Sequence, residues 1–230
     1  MLISVVVPVF NEELTICNVL QRLVSVMQKT GFSYEIIVVD DCSTDRSLEF
    51  SKIPCVKVFL LKTHMGKGYA LRAGFAKAKG EIITTIDSDG SHRPEELPRL
   101  LTPILQNNAD LVIGSRYLGL TPVAAKTLNA AGVRLFNFLV KLLTGTAVSD
   151  SQSGYRVMRS AVLRSMSLTS GGYEIESEML VKTIRHRFRV LEVPISFEQR
   201  TYGISRLDPV VDGVKIFLSI VLAYIGSGRE

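Results

Sequence analysis

The chain has 230 residues, of which 47% are hydrophobic, and its formal net charge is +5. This length and composition suit one sizeable core, or one domain with a short appendage. The modest positive charge suits an anionic partner, such as a phosphate-bearing substrate or a membrane headgroup. Nucleic acid is the weakest candidate, since no basic tract interleaved with aromatic residues is present.

Signals for compartment and targeting are sparse. The three cysteines, Cys17, Cys42 and Cys55, are odd in number and lack metal-ligand spacing, which favours a reducing compartment. The three histidines are scattered and indicate no zinc site. No signal peptide is visible. The longest apolar run near the C-terminus, residues 216–225, is well short of the roughly 20 residues that a spanning helix needs, so we expect no transmembrane helix, although this segment could lie on a membrane.

Apolar runs alternate with helical patterns through the first half of the chain. Strands are predicted at residues 4–10, 34–39, 56–61, 82–86 and 110–115. Helices are predicted at residues 16–27, 70–80 and 97–105, and Asn11 is expected to cap the first of them, with Glu12 and Glu13 in its first turn. This alternation predicts an α/β fold with a mainly parallel sheet covered by helices on both faces.

Polar side chains follow four of these strands. They are Asn11 with Glu12, Asp40 with Asp41, Asp87 with Asp89, and Ser115 with Arg116. In parallel sheets, ligands bind beyond the carboxyl ends of the strands. The carboxylates of Asp87 and Asp89 suit a hard divalent cation such as Mg²⁺ or Mn²⁺, which in turn can hold a diphosphate. An isolated Asp-x-Asp is as typical of a turn cap, and the neighbouring clusters favour the cation site.

From about residue 118 the pattern changes. The apolar stretch 131–143 contains two aromatic residues and two cations, which is typical of a helix lying in a bilayer surface, and a core helix is an equal alternative. Residues 150–156 are interpreted as a polar loop, 174–184 as a helix and 190–197 as a short strand. A basic, glycine-containing loop follows at residues 200–206.

Seven motifs in this order resemble the family-two glycosyltransferases of the GT-A fold. They are VVVPVFNEE, IIVVDDCSTDRS, GKGYALRAGF, TTIDSDGSH, IGSRY, DSQSGYRVM and RTYGISR. More narrowly, they are similar to those of the dolichyl- and polyprenyl-phosphate sugar synthases, the dolichyl-phosphate mannosyltransferases among them. The resemblance implies a catalytic domain over residues 1–207, with a nucleotide-binding half (about 1–117) and an acceptor-binding half (about 118–207). Residues 208–230 are then an amphipathic segment that could contact a membrane.

The same resemblance implies the residues of a nucleotide-sugar site. The positions that hold the nucleotide in the family are occupied here by Pro8, Phe10, Glu12, Val39 and Asp41. Phe10 stands where a tyrosine is usual, so stacking survives without the hydroxyl contact. An apolar ring with carboxylate acceptors also suits a base and a ribose.

The metal site implied by the resemblance is formed by Asp87 and Asp89, with Ser88 and Ser91 close by. Many relatives have glutamine at the position of Ser91, and serine is a weaker ligand. The bound Mg²⁺ or Mn²⁺ is expected to neutralise charge on the leaving diphosphate.

Further cations match the family's phosphate contacts. Arg200 and Arg206 correspond to two cations that clamp the donor phosphates, and Arg116 and Lys126 are expected to face the acceptor phosphate. Gly203 lets the loop between the first two fold over the substrate. The Gly66-Lys67-Gly68 stretch lacks the spacing of a phosphate loop, so its glycines are interpreted as turn and packing residues.

The implied reaction is inverting transfer of a sugar from a nucleotide sugar, GDP-mannose or a UDP-hexose, to dolichyl or polyprenyl phosphate. A phosphate monoester has a second pKa of about 6 and is already ionised at neutral pH, so no general base is required. Asp87, Asp89 and Arg116 are the expected catalytic residues, working on the cytoplasmic face of a membrane, with a membrane partner subunit left open.

Three alternative hypotheses of function remain. A transferase acting on a saccharide or protein hydroxyl needs a base, for which Asp150, Glu174, Glu176 and Glu178 are candidates. A non-catalytic nucleotide-binding subunit predicts broken metal and phosphate positions, which this sequence does not show. A nucleotidyltransferase predicts a phosphate loop near the N-terminus, where the Asn-Glu-Glu stretch stands instead.

Overall fold

The computed structural model describes residues 1–118, 128–198 and 208–226. The strands in these ranges are β1 (Leu2–Val9), β2 (Ser33–Asp40), β3 (Val56–Leu60), β4 (Ile82–Thr85), β5 (Leu111–Ser115), β6 (Arg156–Arg159) and β7 (Val190–Pro194). They form one sheet in the order β3-β2-β1-β4-β6-β5-β7. Neighbouring strands are parallel except at β6, which is antiparallel to both β4 and β5. The predicted mainly parallel sheet is confirmed.

Helices cover both faces of this sheet. Within the described ranges they are α1 (Ile16–Thr30), α2 (Ser47–Phe50), α3 (Lys67–Lys77), α4 (Leu97–Leu105), α5 (Leu128–Thr144), α6 (Ser160–Arg164), α7 (Ile175–Arg185) and α8 (Val211–Gly226). On β1, alternate residues point to opposite faces because the side-chain period of a strand is two. Val5 and Val7 pack with the buried residues of α1 and α4, while Val6 packs with Leu71 of α3 on the other face.

The polar loop expected at residues 150–156 is confirmed except for its last residue, because Arg156 begins strand β6, which was not predicted. The strand is short, and arginines at both its ends hide the apolar pattern. Arg156 is nevertheless buried, because its guanidinium donates hydrogen bonds to the backbone carbonyls of Ser151, Ser153 and Glu176. Satisfying these donors with carbonyl oxygens lets a charged residue enter the middle of the sheet.

The expected helix cap at Asn11 was also wrong. Helix α1 begins at Ile16, and Asn11 instead has a left-handed backbone with φ of 55°. Its side-chain oxygen accepts a hydrogen bond from the backbone N–H of Thr44, which ties the turn after β1 to the loop after β2. Asparagine tolerates this conformation better than most residues, which explains its place here.

Helices α5 and α8 lie beside each other and have two different faces. Phe136 and Val140 of α5 pack with Ile216 and Ile220 of α8 in the core. The opposite faces expose large apolar side chains. On α5 these are Leu135, Phe138 and Leu142, and on α8 they are Val211, Val214, Phe217, Leu218, Leu222 and Ile225. The stretch expected to be either interfacial or core therefore has one core face and one exposed apolar face, and no helix of the described ranges is long and apolar enough to cross a bilayer.

Candidate active site

The strand order reverses direction between β1 and β4, and the polar clusters of both strands meet there. The hydroxyl of Ser88 donates a hydrogen bond to the carbonyl of Pro8 at 2.8 Å. The hydroxyl of Thr15, just before α1, donates to the carbonyl of Ser88 at 2.8 Å. These bonds fix the turn after β4 against the end of β1. Such a reversal point is where ligands bind in open α/β sheets.

The carboxylate of Asp87 projects from this turn and is held on several sides. The ammonium of Lys67 lies 2.7 Å from its Oδ1, and the imidazole Nδ1 of His92 lies 3.8 Å from its Oδ2. A Cβ added at Gly154 would come within 2.5 Å of Oδ2, so this glycine makes room for the carboxylate. Burial alone would raise the pKa of Asp87, but the charge of Lys67, which also donates a hydrogen bond to the carboxylate, is the main opposing effect, and that pKa is lowered.

Asp89 stands two residues further along the same turn. Its Oδ1 accepts hydrogen bonds from both the backbone N–H of Ser91, at 3.0 Å, and the Ser91 hydroxyl, at 2.7 Å. Ser91 is buried, so these bonds fix the orientation of the Asp89 carboxylate. In this arrangement Ser91 acts first as a support for Asp89.

The donor set fits a hard divalent cation that shares its coordination with a substrate. Asp87 and Asp89 offer carboxylate oxygens at the edge of the site, and each is partly accessible to solvent. The described part of the chain contains no group of three or more histidine, cysteine or acidic residues arranged to hold a metal ion. Mg²⁺ commonly binds through one or two carboxylates, with substrate phosphates and waters completing the shell. The pair of Asp87 and Asp89 matches this mode of Mg²⁺ binding, in which the protein supplies only one or two carboxylates.

His92 is buried beside both carboxylates, with 2% of its surface exposed. Burial lowers the pKa of His92, and the opposing charges of Asp87 and Asp89 do not offset it. Its ring packs against Tyr155 and Phe197, and its backbone forms a β-bridge with Phe197. His92 thereby joins the Asp-x-Asp turn to the segment that follows β7.

The paired aspartates after β2 have separate tasks. Asp40 accepts a hydrogen bond from the backbone N–H of Ser43 at 2.7 Å and caps the turn. The carboxylate of Asp41 accepts bonds from the backbone N–H groups of Met65 and Gly66, at 2.8 and 2.7 Å, and its Oδ2 lies 2.8 Å from Nδ1 of His64. Asp41 therefore organises the loop that leads into α3.

Two aromatic rings stack at the entrance to this region. The ring centroids of Phe10 and His64 are 3.8 Å apart, with an interplanar angle of 15°. Of the other predicted nucleotide contacts, Pro8 belongs to β1, Val39 to β2 and Glu12 to the loop after β1. Glu12 begins the loop to α1, where its carbonyl accepts hydrogen bonds from the N–H groups of Thr15 and Ile16. The side chains of Pro8 and Val39 are buried, so a ligand would meet these two residues through their backbone.

Arg116, which follows β5, is engaged by a buried carboxylate. Its Nε and Nη2 donate to the two oxygens of Asp150 at 2.7 and 2.8 Å, and its backbone N–H donates to the same side chain at 3.1 Å. Its guanidinium also lies 5.4 Å from the centre of the Phe197 ring. Arginine has five N–H donors, so three remain beyond this pair for another anion.

Two of the four general-base candidates are bound by cations. Asp150 is fully buried in the pair with Arg116. Glu176, at the start of α7, is 3% exposed, and its Oε1 lies 2.8 Å from the ammonium of Lys67. Taking up a proton on Asp150 would leave the largely buried Arg116 without its partner, and taking one up on Glu176 would remove one of the two carboxylates that balance Lys67.

The other two candidates support the loop before α7. Glu178 accepts hydrogen bonds from the backbone N–H groups of Thr169 and Ser170 and pairs with Lys182 at 2.8 Å. These hydrogen bonds and the Lys182 charge hold the pKa of Glu178 below its usual value despite burial. Glu174 accepts bonds from the N–H groups of the two glycines at positions 171 and 172. Glu178 is thus held by the backbone and by Lys182, whereas Glu174 is held through Oε1 and its buried Oε2 has no hydrogen-bond partner within the described residues.

Three predicted phosphate contacts, Arg200, Arg206 and Lys126, lie outside the described residues. The segment that leads to the first two is described up to residue 198 and is attached to the Asp-x-Asp turn. The backbone N–H of Glu198 donates to the carbonyl of Ser91 at 3.0 Å, and that of Ser196 donates to the carboxylate of Glu96. The chain therefore reaches position 198 next to the metal-site candidates.

Sequence reasoning missed Lys67, His64 and His92. In the Gly66-Lys67-Gly68 stretch, the sequence analysis predicted a role for the glycines alone, as turn and packing residues. Their close packing on the loop before α7 confirms that prediction. The signal for all three residues was their position. Each one lies just after a strand whose carboxyl end reaches the site, or at the helix start that follows it.

Comparison with known proteins identifies the family. The model of the family described as "Glycosyl transferase family 2" matches residues 4–166. The chain belongs to glycosyltransferase family 2. It is 32% identical over 229 residues to an undecaprenyl-phosphate mannosyltransferase of Micrococcus luteus, covering 93% of this chain and 90% of that protein. It is also 32% identical over 217 residues to a dolichol-phosphate mannosyltransferase of Pyrococcus furiosus, covering 90% of this chain and 59% of that protein.

Solved structures agree with this assignment. The glucosyl-3-phosphoglycerate synthase of Mycobacterium tuberculosis, in complex with phosphoglyceric acid, superposes with a TM-score of 0.77 at 26% identity, covering 97% of this chain and 80% of that chain. The same enzyme with Mn²⁺ and UDP-glucose gives a TM-score of 0.75 at 25% identity, covering 97% and 79%. This family-two glycosyltransferase has the GT-A fold that its motifs implied.

Proposed function

We propose that this glycosyltransferase moves a sugar from a nucleotide sugar, GDP-mannose or a UDP-hexose, to dolichyl or polyprenyl phosphate, inverting the anomeric carbon. The donor nucleotide lies along the ends of β1 and β2, near Phe10 and Asp41. Its diphosphate reaches the carboxylates of Asp87 and Asp89. The names of the Micrococcus and Pyrococcus relatives support this acceptor class.

The choice of acceptor rests on one observation. Each of the four acidic residues considered as a general base already makes a hydrogen bond or an ion pair. Asp150 binds Arg116, Glu176 binds Lys67, and Glu174 and Glu178 bind backbone N–H groups. A hydroxyl acceptor needs a base that takes its proton, whereas a phosphate attacks without one. An active site whose carboxylates are committed to other groups suits an acceptor that arrives ionised.

The divalent cation is held by Asp87 and Asp89, with Ser91 steadying the second carboxylate. When bound, Mg²⁺ or Mn²⁺ supplies Lewis-acid stabilisation of the leaving diphosphate. Mn²⁺ in a solved relative supports this cofactor class. Arg116 presents its remaining donors to the acceptor phosphate and aligns it with the anomeric carbon. Lys126, Arg200 and Arg206 are assigned to phosphates by the family motif alone.

The exposed apolar faces of α5 and α8 provide the route to a lipid substrate. They expose Phe138 and Leu142 on α5 and Leu218 and Leu222 on α8, each at least half exposed. The cations Arg134 and Lys141 are exposed on the same helix as the first two. Apolar side chains flanked by cations are typical of a surface that rests in an anionic membrane. We therefore place the enzyme peripherally on a membrane.

The test is a direct transfer assay. The purified protein is incubated with Mn²⁺ or Mg²⁺, a panel of GDP- and UDP-sugars, and either polyprenyl phosphate or the corresponding polyprenol. We expect a sugar phosphate lipid from one donor class, no product from the alcohol, and loss of product with EDTA or with Asp89→Asn. The configuration of the anomeric proton, measured by NMR, should be opposite to that of the donor.

Other outcomes of this assay would support one of the alternative functions. Transfer to the polyprenol or to a saccharide, with none to the lipid phosphate, would establish the hydroxyl-acceptor alternative. Absence of product for every donor, together with retained nucleotide binding, would favour a non-catalytic nucleotide-binding subunit.

A further inference from the structure

The Gly66-Lys67-Gly68 stretch is built to place one side chain. Gly66 has φ of 99°, a left-handed conformation that glycine adopts without strain. A Cβ added to Gly66 would lie 2.6 Å from the carbonyl oxygen of Gly171, and one added to Gly68 would lie 2.7 Å from the carbonyl oxygen of Ser170. The start of α3 and the loop before α7 therefore touch backbone to backbone. This contact fixes the main chain on both sides of Lys67.

The side chain of Lys67 bridges two carboxylates from different elements. Its ammonium lies 2.7 Å from Oδ1 of Asp87, after β4, and 2.8 Å from Oε1 of Glu176, at the start of α7. The lysine side chain is 17% exposed and that of Glu176 is 4% exposed. The two carboxylates thus hold the ammonium from two sides and connect the turn after β4 to the start of α7.

Glu176 is itself well anchored. Its backbone carbonyl accepts a hydrogen bond at 2.7 Å from the buried guanidinium of Arg156, in the middle of the sheet. Lys67 thus connects Asp87 to a rigid part of the molecule through two short ionic contacts. Gly154 also lies against the Asp87 carboxylate, since a Cβ there would overlap both of its oxygens.

We propose that Lys67 is a positioning residue, anchored by Glu176, that fixes the orientation of the Asp87 carboxylate as a ligand for a divalent cation. This proposal rests on the proposed metal site at Asp87 and Asp89. In the Gly66-Lys67-Gly68 stretch, the glycines then shape the main chain and the lysine orients a metal ligand. Partners that orient metal ligands in this way typically change metal affinity or activity by about 10–100-fold when removed.

The test uses a double variant, Lys67→Met/Glu176→Gln. One positive and one negative charge are removed together, so the net charge of the site is unchanged and only the bridge to Asp87 is lost. Mn²⁺ binding is measured by the electron paramagnetic resonance signal of free Mn²⁺ with GDP or UDP present. We expect Kd for Mn²⁺ to rise roughly 10-fold, with a melting temperature close to that of the wild type.

The single variants complete the comparison. Lys67→Met leaves two carboxylates facing each other without a cation, so it should melt at a lower temperature than the double variant. Glu176→Gln keeps the contact between Lys67 and Asp87, so its Kd for Mn²⁺ should stay closer to the wild type than that of the double variant. A double variant that binds Mn²⁺ as the wild type does would overturn the proposal, because charge balance alone would then account for Lys67.

Activity separates this proposal from the proposed function. If the wild type transfers sugar to the lipid phosphate, the double variant should show a kcat lowered about 10-fold or more, with little change in KM for the lipid. An unchanged kcat would overturn the positioning role and leave the function intact. If no lipid phosphate is a substrate but the double variant still loses Mn²⁺ affinity, the function fails and the positioning role stands. A wild type that does not bind Mn²⁺ overturns both.

Discussion

Arg116 and Asp150 form a bidentate ion pair in which Nε and Nη2 of the guanidinium donate to the two oxygens of a carboxylate with no exposed surface. Arg116 directly follows β5, and Asp150 lies in the loop between α5 and β6. The pair holds Arg116 in one orientation, with its remaining donors available to an anion. It also makes Asp150 a structural residue.

Removing the charge of Asp150 should therefore destabilise the protein. Asp150→Asn leaves Arg116 without its partner, and we expect a loss of about 3 kcal/mol, at the lower end for buried pairs because the Arg116 side chain retains 19% exposure. Urea unfolding followed by circular dichroism measures the change. The exposed pair of Arg46 and Glu49 is the control, since Arg46→Gln should leave the unfolding midpoint unchanged. Equal midpoints for Asp150→Asn and the wild type would contradict the prediction.

The hydroxyl of Ser91 should affect metal binding through Asp89. Ser91→Ala removes the 2.7 Å hydrogen bond to Oδ1 of Asp89 but keeps the backbone N–H contact. We expect roughly 10-fold weaker Mn²⁺ binding by calorimetry, with an unchanged melting temperature. Ser165→Ala is a matched control, since its hydroxyl makes a similar short local bond, to the carbonyl of Val162, far along the chain from the site. Wild-type affinity in Ser91→Ala would show that the backbone contact alone orients Asp89.

Stability against acid should depend on Glu35 of β2. Burial would raise its pKa, but hydrogen bonds from Lys57, the backbone N–H of Lys79 and Ser4 hold the pKa of Glu35 below its ordinary 4.5. A carboxyl whose pKa is lowered by folding stabilises the protein above its unfolded-state pKa, and this contribution is lost as the pH falls through the folded-state value. Glu35→Gln should cost about 1–2 kcal/mol at pH 7.

The difference between the wild type and Glu35→Gln should shrink as the pH falls below 4.5 and be absent once Glu35 is protonated in the folded protein. Urea midpoints measured between pH 7 and pH 2.5 would show this convergence. A difference that stays constant over that range would mean that the glutamate acts through shape and not through charge.

The exposed face of α5 should contribute to membrane binding. Phe138 and Leu142 are 62% and 66% exposed, so replacing both with serine removes apolar surface without opening the core. We expect at least about 10-fold weaker binding to vesicles of anionic phospholipid in a sedimentation assay, since burying such side chains stabilises by about 1.5–3 kcal/mol each. Leu105→Ser is the control, because Leu105 is also exposed but lies on α4, which covers the other face of the sheet. Equal vesicle binding by the two variants would exclude a specific α5 surface.

Much of the fold and part of the site could be predicted because strand ends are a local signal. The apolar runs that end in Asp40, Asp87 and Ser115 are strands, and all three ends lie at the same edge of the sheet. Periodicity likewise predicted α1 and α4. The family resemblance predicted that Ser88 and Ser91 lie near Asp89, and this follows from their proximity along the chain.

Contacts between segments that are distant in the sequence could not be predicted. Nothing near Lys67 in the sequence indicates that Glu176 lies 2.8 Å away, because that distance depends on how α7 returns to the start of α3. The pairing of Arg116 with Asp150 is of the same kind. The cap at Asn11 failed for a different reason: the residue has two common uses, and the left-handed turn competed with the helix cap.

The antiparallel strand β6 has a consequence for how the protein is made. Residues Arg156–Arg159 join β4 to β5, and no direct pairing links those two strands. While the ribosome is still adding residues before position 156, strands β1 to β4 can assemble, but β5 has no neighbour to dock against. The early chain therefore exposes an unpaired edge on β4, beside Asp87, until residues Arg156–Arg159 emerge and pair with that strand.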